Sequence, residues 1–159
     1  MELKELMAAF AAKLGIEGVE ATDGTCSLEI DGVPLRIAET DDAGALVASA
    51  IIGPPPVEKA DAFMELLLDT NMDLMGPLSA AFGRLHDTGD LVLMWRVPTQ
   101  TLDLDAFCAG METFMNSVDH WRQALESFGS AAEEAAEGAA EEAASYNALS
   151  PSSAGFIQV

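Results

Sequence analysis

The chain has 159 residues and a mass of 16.7 kDa, and 50% of its residues are hydrophobic. This length suits one globular domain, the apolar content is too high for intrinsic disorder, and no window reaches the roughly 18 apolar residues of a membrane-spanning helix. Seven basic against 27 acidic residues give a formal net charge of -20. Such an acidic surface repels phosphate backbones and anionic lipids, which argues against nucleic-acid and membrane partners.

The N-terminal residues and the cysteines indicate a cytoplasmic protein. Residues 1–10 mix acidic with apolar side chains and lack the basic and unbroken apolar regions of a secretory signal peptide. Cys26 and Cys108 show no CxxC spacing, and each lies in an apolar periodic segment, as a small buried side chain does. We therefore expect a reducing, cytoplasmic compartment.

The chain begins with the pattern of a helix followed by a hairpin. Apolar residues recur at helical spacing over residues 2–14, and Gly15 follows where a helix accepts a left-handed residue. Residues 25–30 alternate between apolar and polar side chains, Asp31-Gly32 marks a tight turn, and residues 33–37 resume the alternation. This pattern predicts one short amphipathic helix and two antiparallel strands.

A third strand and a second helix come next. An apolar run over residues 45–52 predicts the strand, which the prolines at 54–56 must end because proline lacks the backbone donor. Over residues 57–72 the apolar positions form one stripe at helical spacing, with charged residues mainly elsewhere. The sequence therefore predicts three antiparallel strands followed by a helix.

The remaining periodic segments predict a second hairpin and a long helix. Residues 78–85 alternate loosely, Asp87-Thr-Gly-Asp90 reads as a turn, and residues 91–97 alternate again. After Pro98, large apolar residues recur at helical intervals as far as Leu125. The predicted order of elements is thus α-β-β-β-α-β-β-α, with five strands.

The composition changes near residue 128. From Gly129 onward the chain is rich in alanine and glutamate and has no large apolar residue before Tyr146. We therefore predict a core domain over residues 1–127 and an acidic C-terminal extension over 128–159, helical or mobile, with residues 145–159 expected to be mobile.

No motif indicates an enzyme or a metal site. The triplet Asp87-Thr88-Gly89 occurs in aspartic proteases, but here it lies between polar residues where a hairpin turn is needed. His86 and His120 are the only histidines, and neither has a histidine or cysteine at ligand spacing. Since phosphate-binding loops, dinucleotide fingerprints and nucleophile elbows are also absent from the sequence, we expect no catalytic residues, no metal and no cofactor.

The predicted elements carry more apolar surface than one small domain can bury. Eight methionines are present, and most lie in or beside the helical stripes. Three helices cannot all cover one face of a five-stranded sheet, so some apolar surface is left over. This surplus predicts a dimer interface and an adaptable binding groove.

Several short segments carry a resemblance to a known family. They are Leu14-Gly-Ile16, Leu28-Glu-Ile-Asp-Gly32, Leu66-Leu-Leu-Asp-Thr-Asn-Met72, Gly76-Pro-Leu78, Asp87-Thr-Gly-Asp90 and Trp121-Arg-Gln-Ala-Leu125. With the order of elements, they make residues 1–127 similar to the class I chaperones of bacterial type III secretion, the Tir chaperone (CesT-like) family. The matched positions are packing and turn positions, and the family has no active site to transfer.

The resemblance implies an α+β fold in which helices pack on a twisted antiparallel sheet, assembled as a homodimer. It also implies a cytoplasmic chaperone that holds the N-terminal segment of a secreted effector in extended form, without ATP, and keeps it competent for secretion, with the secretion apparatus as a further expected partner. An extended segment adds backbone hydrogen bonds at a sheet edge while alternate side chains enter apolar pockets. The alternative is a regulatory or scaffolding module of the same fold that binds a folded partner, with the acidic extension as one means of contact.

In the family, the first helix and the sheet supply effector contacts, whereas the second helix and nearby strands supply dimer contacts. By position, the residues expected to bind effector are Leu3, Leu6, Met7, Phe10, Leu28, Leu35 and Ile37. Those expected at the dimer interface are Phe63, Leu67, Leu93 and Trp95. Each assignment competes with plain burial in the core of one chain.

Overall fold

A computed structural model describes residues 2–40, 44–75, 79–100 and 102–148, with side chains described as far as Phe128 in the last helix. Three helices and six strands lie within these ranges. They are α1 (Leu3–Leu14), β1 (Ala21–Thr22), β2 (Thr25–Ile30), β3 (Val33–Glu39), β4 (Ala45–Gly53), α2 (Ala60–Met75), β5 (Ala80–Arg84), β6 (Leu91–Pro98) and α3 (Leu104–Ala148).

All strands form one antiparallel sheet in the order β1-β2-β3-β4-β6-β5, so the predicted α+β fold is confirmed. The one addition is β1, which pairs with β2 through the turn Asp23-Gly24. Both turn residues have positive φ, 49° and 67°, as do Asp31 and Gly32 between β2 and β3. Two-residue hairpin turns of this kind favour Asp-Gly. The first turn escaped prediction because a two-residue strand is too short to show alternation.

The core lies between one face of the sheet and the helices α1 and α3. Phe10 of α1 meets Phe107 of α3 edge to face, with ring centroids 5.2 Å apart. Alternate residues of the central strands point into this layer, as Leu35 and Ile37 do on β3. Because the sheet has period 2 and the helices period 3.6, the two apolar patterns of the sequence meet in one buried layer.

The segment around Asp87 is a turn, as predicted. The Leu85 N–H donates to the Asp90 carbonyl over 2.8 Å, and Gly89 adopts a left-handed φ of 81°. Arg84 secures the turn, because its Nε donates to the Gly89 carbonyl over 3.1 Å. The protease-like triplet is therefore accounted for by hairpin geometry.

Helix α2 does not lie over the centre of the sheet but against its edge strand β5. Phe63 reaches the end of α3, where its ring lies 5.0 Å from that of Phe128. The Asn71 side chain holds the edge, because its Oδ1 accepts from the Phe82 N–H over 2.6 Å and its Nδ2 donates to the Phe82 carbonyl over 3.4 Å. The Asn71 amide thus makes the two hydrogen bonds that a backbone residue of an adjacent strand would make at this edge.

Replacing Asn71 with alanine is expected to lower the free energy of unfolding by about 1–2 kcal/mol, because the Phe82 N–H loses its acceptor in a part-buried site. Asn71→Asp, which keeps an acceptor, is expected to lose less. Urea unfolding followed by circular dichroism measures both. Thr70→Ala is the control, since the Thr70 hydroxyl only bonds the Leu66 carbonyl of its own helix. Equal effects of Asn71→Ala and Thr70→Ala would contradict the role of the amide.

Helix α3 extends well past the predicted end at Leu125 and continues unbroken to Ala148. It therefore crosses the predicted boundary between residues 127 and 128. The separate behaviour of the extension stays a prediction, and residues 149–159 of it lie outside the described part of the chain.

Candidate polypeptide-binding groove

A groove of about 540 Å³ opens between α1, the tip of the β2–β3 hairpin and the first half of α3; we call it the α1–α3 groove. Its lining residues come from all three elements. They are Phe10, Lys13, Leu14, Ile30, Asp31, Asp105, Cys108, Ala109, Met111, Glu112, Met115, Asn116 and Asp119.

The floor of the α1–α3 groove is apolar. Phe10 and Met111 form its buried base, while Ile30 and Met115 are half-buried. Leu14 stands at the end of α1 with 49% of its surface exposed. Methionine has a flexible and polarisable side chain, so a floor with two of them adapts to partner side chains of different shape. This floor can accept apolar side chains from another polypeptide.

The rim of the groove is acidic. Asp31, Glu112 and Asp119 are exposed there, and a fourth carboxylate, Asp105, accepts a hydrogen bond from Lys13 Nζ over 2.6 Å. This bond raises the pKa of Lys13 and lowers the pKa of Asp105. With four carboxylates and one ammonium, the rim favours a segment that carries basic residues beside its apolar ones.

The Lys13–Asp105 pair gives stability a defined pH dependence. Folding lowers the pKa of Asp105, so the ionised carboxylate stabilises the folded state. This stabilisation is fully present above the pKa of Asp in the unfolded chain, about 3.9, and is lost as the pH falls through the lower pKa of the folded state. Both side chains are exposed, so the effect is expected to be small. We expect the melting temperature of Asp105→Asn to be slightly below that of the parent at pH 6 and equal to it near pH 2. A pH-independent gap would contradict this expectation, and Glu112→Gln on the same rim is the control.

Among the described residues, the edge of β2 beside the groove has no strand neighbour along most of its length. The hairpin closes at Ile30 and Val33, so the alternate residues Ser27 and Glu29 direct their backbone groups away from β3. In the described structure β1 pairs with β2 only as far as Ala21 opposite Cys26. An extended segment can therefore pair with this edge and continue past Ile30 into the α1–α3 groove.

Comparison with known proteins decides the family. The sequence model of the Tir chaperone protein (CesT) family matches residues 5–122, which is most of the chain. The chain belongs to the Tir chaperone family. The resemblance drawn from the sequence is thereby confirmed, and the family is one of chaperones.

Solved structures of similar fold agree with this membership. The ExsC–ExsE complex matches with a TM-score of 0.68 and 20% identity, over 79% of this chain and 97% of that chain. The HopA1–SchA chaperone–effector complex matches with a TM-score of 0.64 and 18% identity, over 76% of this chain and 92% of that chain. The Yersinia pestis type III secretion chaperone SycH, bound to a fragment of YscM2, matches with a TM-score of 0.59 and 19% identity, over 74% of this chain and 98% of that chain. At these identities the likenesses show the fold, and a search of curated proteins found no match.

The structure places the expected effector-binding residues mostly beneath the surface of this Tir chaperone family member. Phe10 alone belongs to the floor of the α1–α3 groove. Leu28 is half-buried and, with buried Leu35, borders a depression on the opposite side of the sheet. The other four are buried in the core of the single chain: Leu3, Leu6, Met7 and Ile37. Leu14, Ile30 and Met115 supply the accessible apolar surface of the groove instead, over a base that includes the buried Met111. Helical spacing on α3 was the signal for the two methionines.

The expected dimer residues are also largely internal. Phe63, Leu67 and Leu93 are buried within the chain. Trp95 is half-buried beside a cavity of about 180 Å³, which Leu74 also lines. The exposed apolar residues of α2 are others. Three of them, Leu68, Met72 and Met75, lie on one side of the helix, and we call them the α2 stripe.

The α2 stripe is apolar surface that stays exposed in the described structure. Leu68, Met72 and Met75 are 64%, 80% and 63% exposed. Their spacing of four and three residues puts them on one side of the helix. A contiguous apolar stripe of this exposure is typical of a protein–protein interface.

The described residues contain no group of three or more His, Cys, Asp or Glu side chains placed to hold a metal ion. In that same part of the chain, no helix has the length and apolarity needed to cross a membrane.

Proposed function

We propose that this protein is a cytoplasmic chaperone that binds the N-terminal segment of a type III secretion effector in extended form. The observation that carries the proposal is the α1–α3 groove, whose apolar floor lies at the end of an unpaired strand edge. Membership of the Tir chaperone family supports the same function. The solved complexes of similar fold include a chaperone bound to its effector.

Binding in this mode needs no nucleotide. The backbone groups of Ser27 and Glu29 offer hydrogen bonds that do not depend on the sequence of the bound segment. Apolar side chains of the segment then enter the groove over Phe10, Met111 and Met115, and burial of that surface stabilises the complex. The bound segment stays unfolded because its backbone hydrogen bonds are made with the chaperone.

The proposal includes a homodimer formed through the α2 stripe. Burial of Leu68, Met72 and Met75 against a second copy would remove the largest exposed apolar side chains of α2 from water. The cavity beside Trp95 and Leu74 offers a place for a side chain of that copy. Contact with the secretion apparatus stays a prediction.

The test is affinity purification of the tagged protein from its native cells, followed by limited proteolysis and mass spectrometry of the bound polypeptide. We expect one bound protein that is protected near its N-terminus and cleaved readily beyond the protected segment. A partner that resists proteolysis throughout would instead favour a regulatory module acting on a folded protein.

A pair of matched variants ties this result to the groove. Leu14→Glu with Met115→Glu places two charges on the apolar floor and is expected to abolish co-purification. Leu85→Glu, on the opposite side of the sheet and 37% exposed, is the control. Unchanged binding by the groove variant, or no bound polypeptide with the parent protein, would contradict the proposal.

A further inference from the structure

The sheet has a second face that the described helices do not cover. Its residues point away from α1 and α3, and two depressions of about 280 and 240 Å³ lie on it. Strand residues and Leu85 line both, with no helix residue of the described chain among them. We call this surface the open sheet face. Its central side chains are Arg36, Val47, Ile51, Val92, Met94 and Arg96.

The open sheet face is basic in an otherwise acidic protein. The register places Arg36 and Arg96 on it, together with the carboxylate of Glu29 on β2. Arg84 borders one of its depressions from β5, so three of the seven basic residues lie on or beside this face. None of the three has an acidic partner within the described residues. Arg36 on β3 and Arg96 on β6 are separated by one strand, β4, and are offset by two residues along the strand direction. Their Cα atoms are therefore about 12 Å apart. Arginine favours carboxylates because its guanidinium binds them through two hydrogen bonds.

The C-terminal part of α3 is acidic and contains no basic residue. Residues 129–145 carry five glutamates and no lysine or arginine. Glu133, Glu137 and Glu141 follow one another at four-residue spacing, and like charges at that spacing destabilise a helix. The rise of a helix places Glu133 and Glu141 about 12 Å apart, which matches the separation of Arg36 and Arg96.

We propose that residues 129–145 of one copy pack on the open sheet face of a second copy, with glutamates against Arg36 and Arg96. A second copy is required because α3 packs on the opposite side of its own sheet and continues as one helix through this segment. Alanine is the other main residue of the segment, and its small side chain allows a helix to approach a sheet closely. The proposal concerns the protein alone, so it does not rest on effector binding or on the α2 stripe.

Zero-length cross-linking of full-length protein tests the contact directly. Arg36→Lys with Arg96→Lys keeps both charges and supplies amines that a carbodiimide couples to neighbouring carboxylates. Chains with and without ¹⁵N are unfolded, mixed and refolded, so that links between copies contain both isotopes. We expect mixed-isotope links from positions 36 and 96 to Glu133–Glu142, while the Lys13–Asp105 pair at 2.6 Å supplies an internal link as positive control. Links within one chain only, links from these positions to other carboxylates only, or none at all would overturn the proposal.

Charge reversal supplies a second measurement that does not need the introduced amines. Arg36→Glu with Arg96→Glu is expected to weaken self-association of the full-length protein by about tenfold, since two exposed ion pairs are lost. Lys4→Glu with Lys59→Glu makes the same change in net charge at exposed sites outside the open sheet face. Sedimentation equilibrium compares the two, and circular dichroism confirms that both fold. Equal weakening by the two variants would show a general charge effect and overturn the specific contact.

Discussion

Replacing Gly110 with alanine is expected to lower the free energy of unfolding by about 2 kcal/mol. Gly110 lies on α3 directly under the ring of Trp95, and a Cβ there would fall 2.3 Å from Trp95 Cη2 and 2.5 Å from Cζ2. The rings of Phe107 and Phe114 stack near the indole, with centroids 6.2 and 5.9 Å from it, and restrict its movement. Alanine gains roughly 1 kcal/mol of helix propensity over glycine, which offsets only part of the strain.

Urea unfolding monitored by circular dichroism measures the effect of Gly110→Ala. Gly83→Ala is the matched control, because its Cβ would meet only the flexible tip of Met94, Cε at 2.9 Å. Trp95→Phe is expected to relieve the clash, so that Gly110→Ala costs less in that background than in the parent. A stability equal to the parent, or the same loss with and without Trp95, would show that the ring does not fix residue 110.

Placing two carboxylates on the α2 stripe, Leu68→Glu with Met72→Glu, is expected to raise the dissociation constant of the homodimer at least about 100-fold. Both side chains are largely exposed in the single chain, so the fold is expected to persist. In the proposed dimer the two carboxylates would lose water without gaining a cation, which costs several kcal/mol. Sedimentation equilibrium measures the constant.

The control for the α2 stripe lies on the same helix. Leu66 is 45% exposed and lies on the side of the helix opposite Leu68 and Met75, so Leu66→Glu changes the charge of α2 outside the stripe. We expect this variant to dimerise like the parent. Equal dissociation by the control, or a parent protein that is monomeric at micromolar concentration, would contradict an interface at the stripe.

The regular elements were predictable from local pattern because each buries one side. Alternation found β2, β3 and β6, and helical spacing found α1 and α3, since a half-buried strand and a half-buried helix each repeat with a fixed period. The turn at Asp31-Gly32 was predictable from its residue pair, because Asp-Gly favours a two-residue hairpin turn. The two-residue β1 was missed because it is too short for a period to appear, although Asp23-Gly24 carried the same turn signal.

The site residues were harder to predict. Periodicity identifies the apolar side of a helix or strand, but it does not show how exposed each residue on that side is. Leu3, Met7 and Phe10 share one side of α1, yet only Phe10 reaches the α1–α3 groove. On α2, Leu67 is buried against the core and its neighbour Leu68 is exposed. The two sides of an apolar helix look alike in sequence until the packing of the remaining chain is known.

The sequence by itself determined the α+β class, the family, the acidic character and the positions of most turns, because these depend on local spacing and on composition. Only the tertiary structure decided which apolar residues remain exposed, that Met111 and Met115 meet Ile30 in one groove, and that Arg36 and Arg96 share one sheet face. Those juxtapositions join residues far apart in the chain. They follow from helix-on-sheet packing and strand register, which no local pattern encodes.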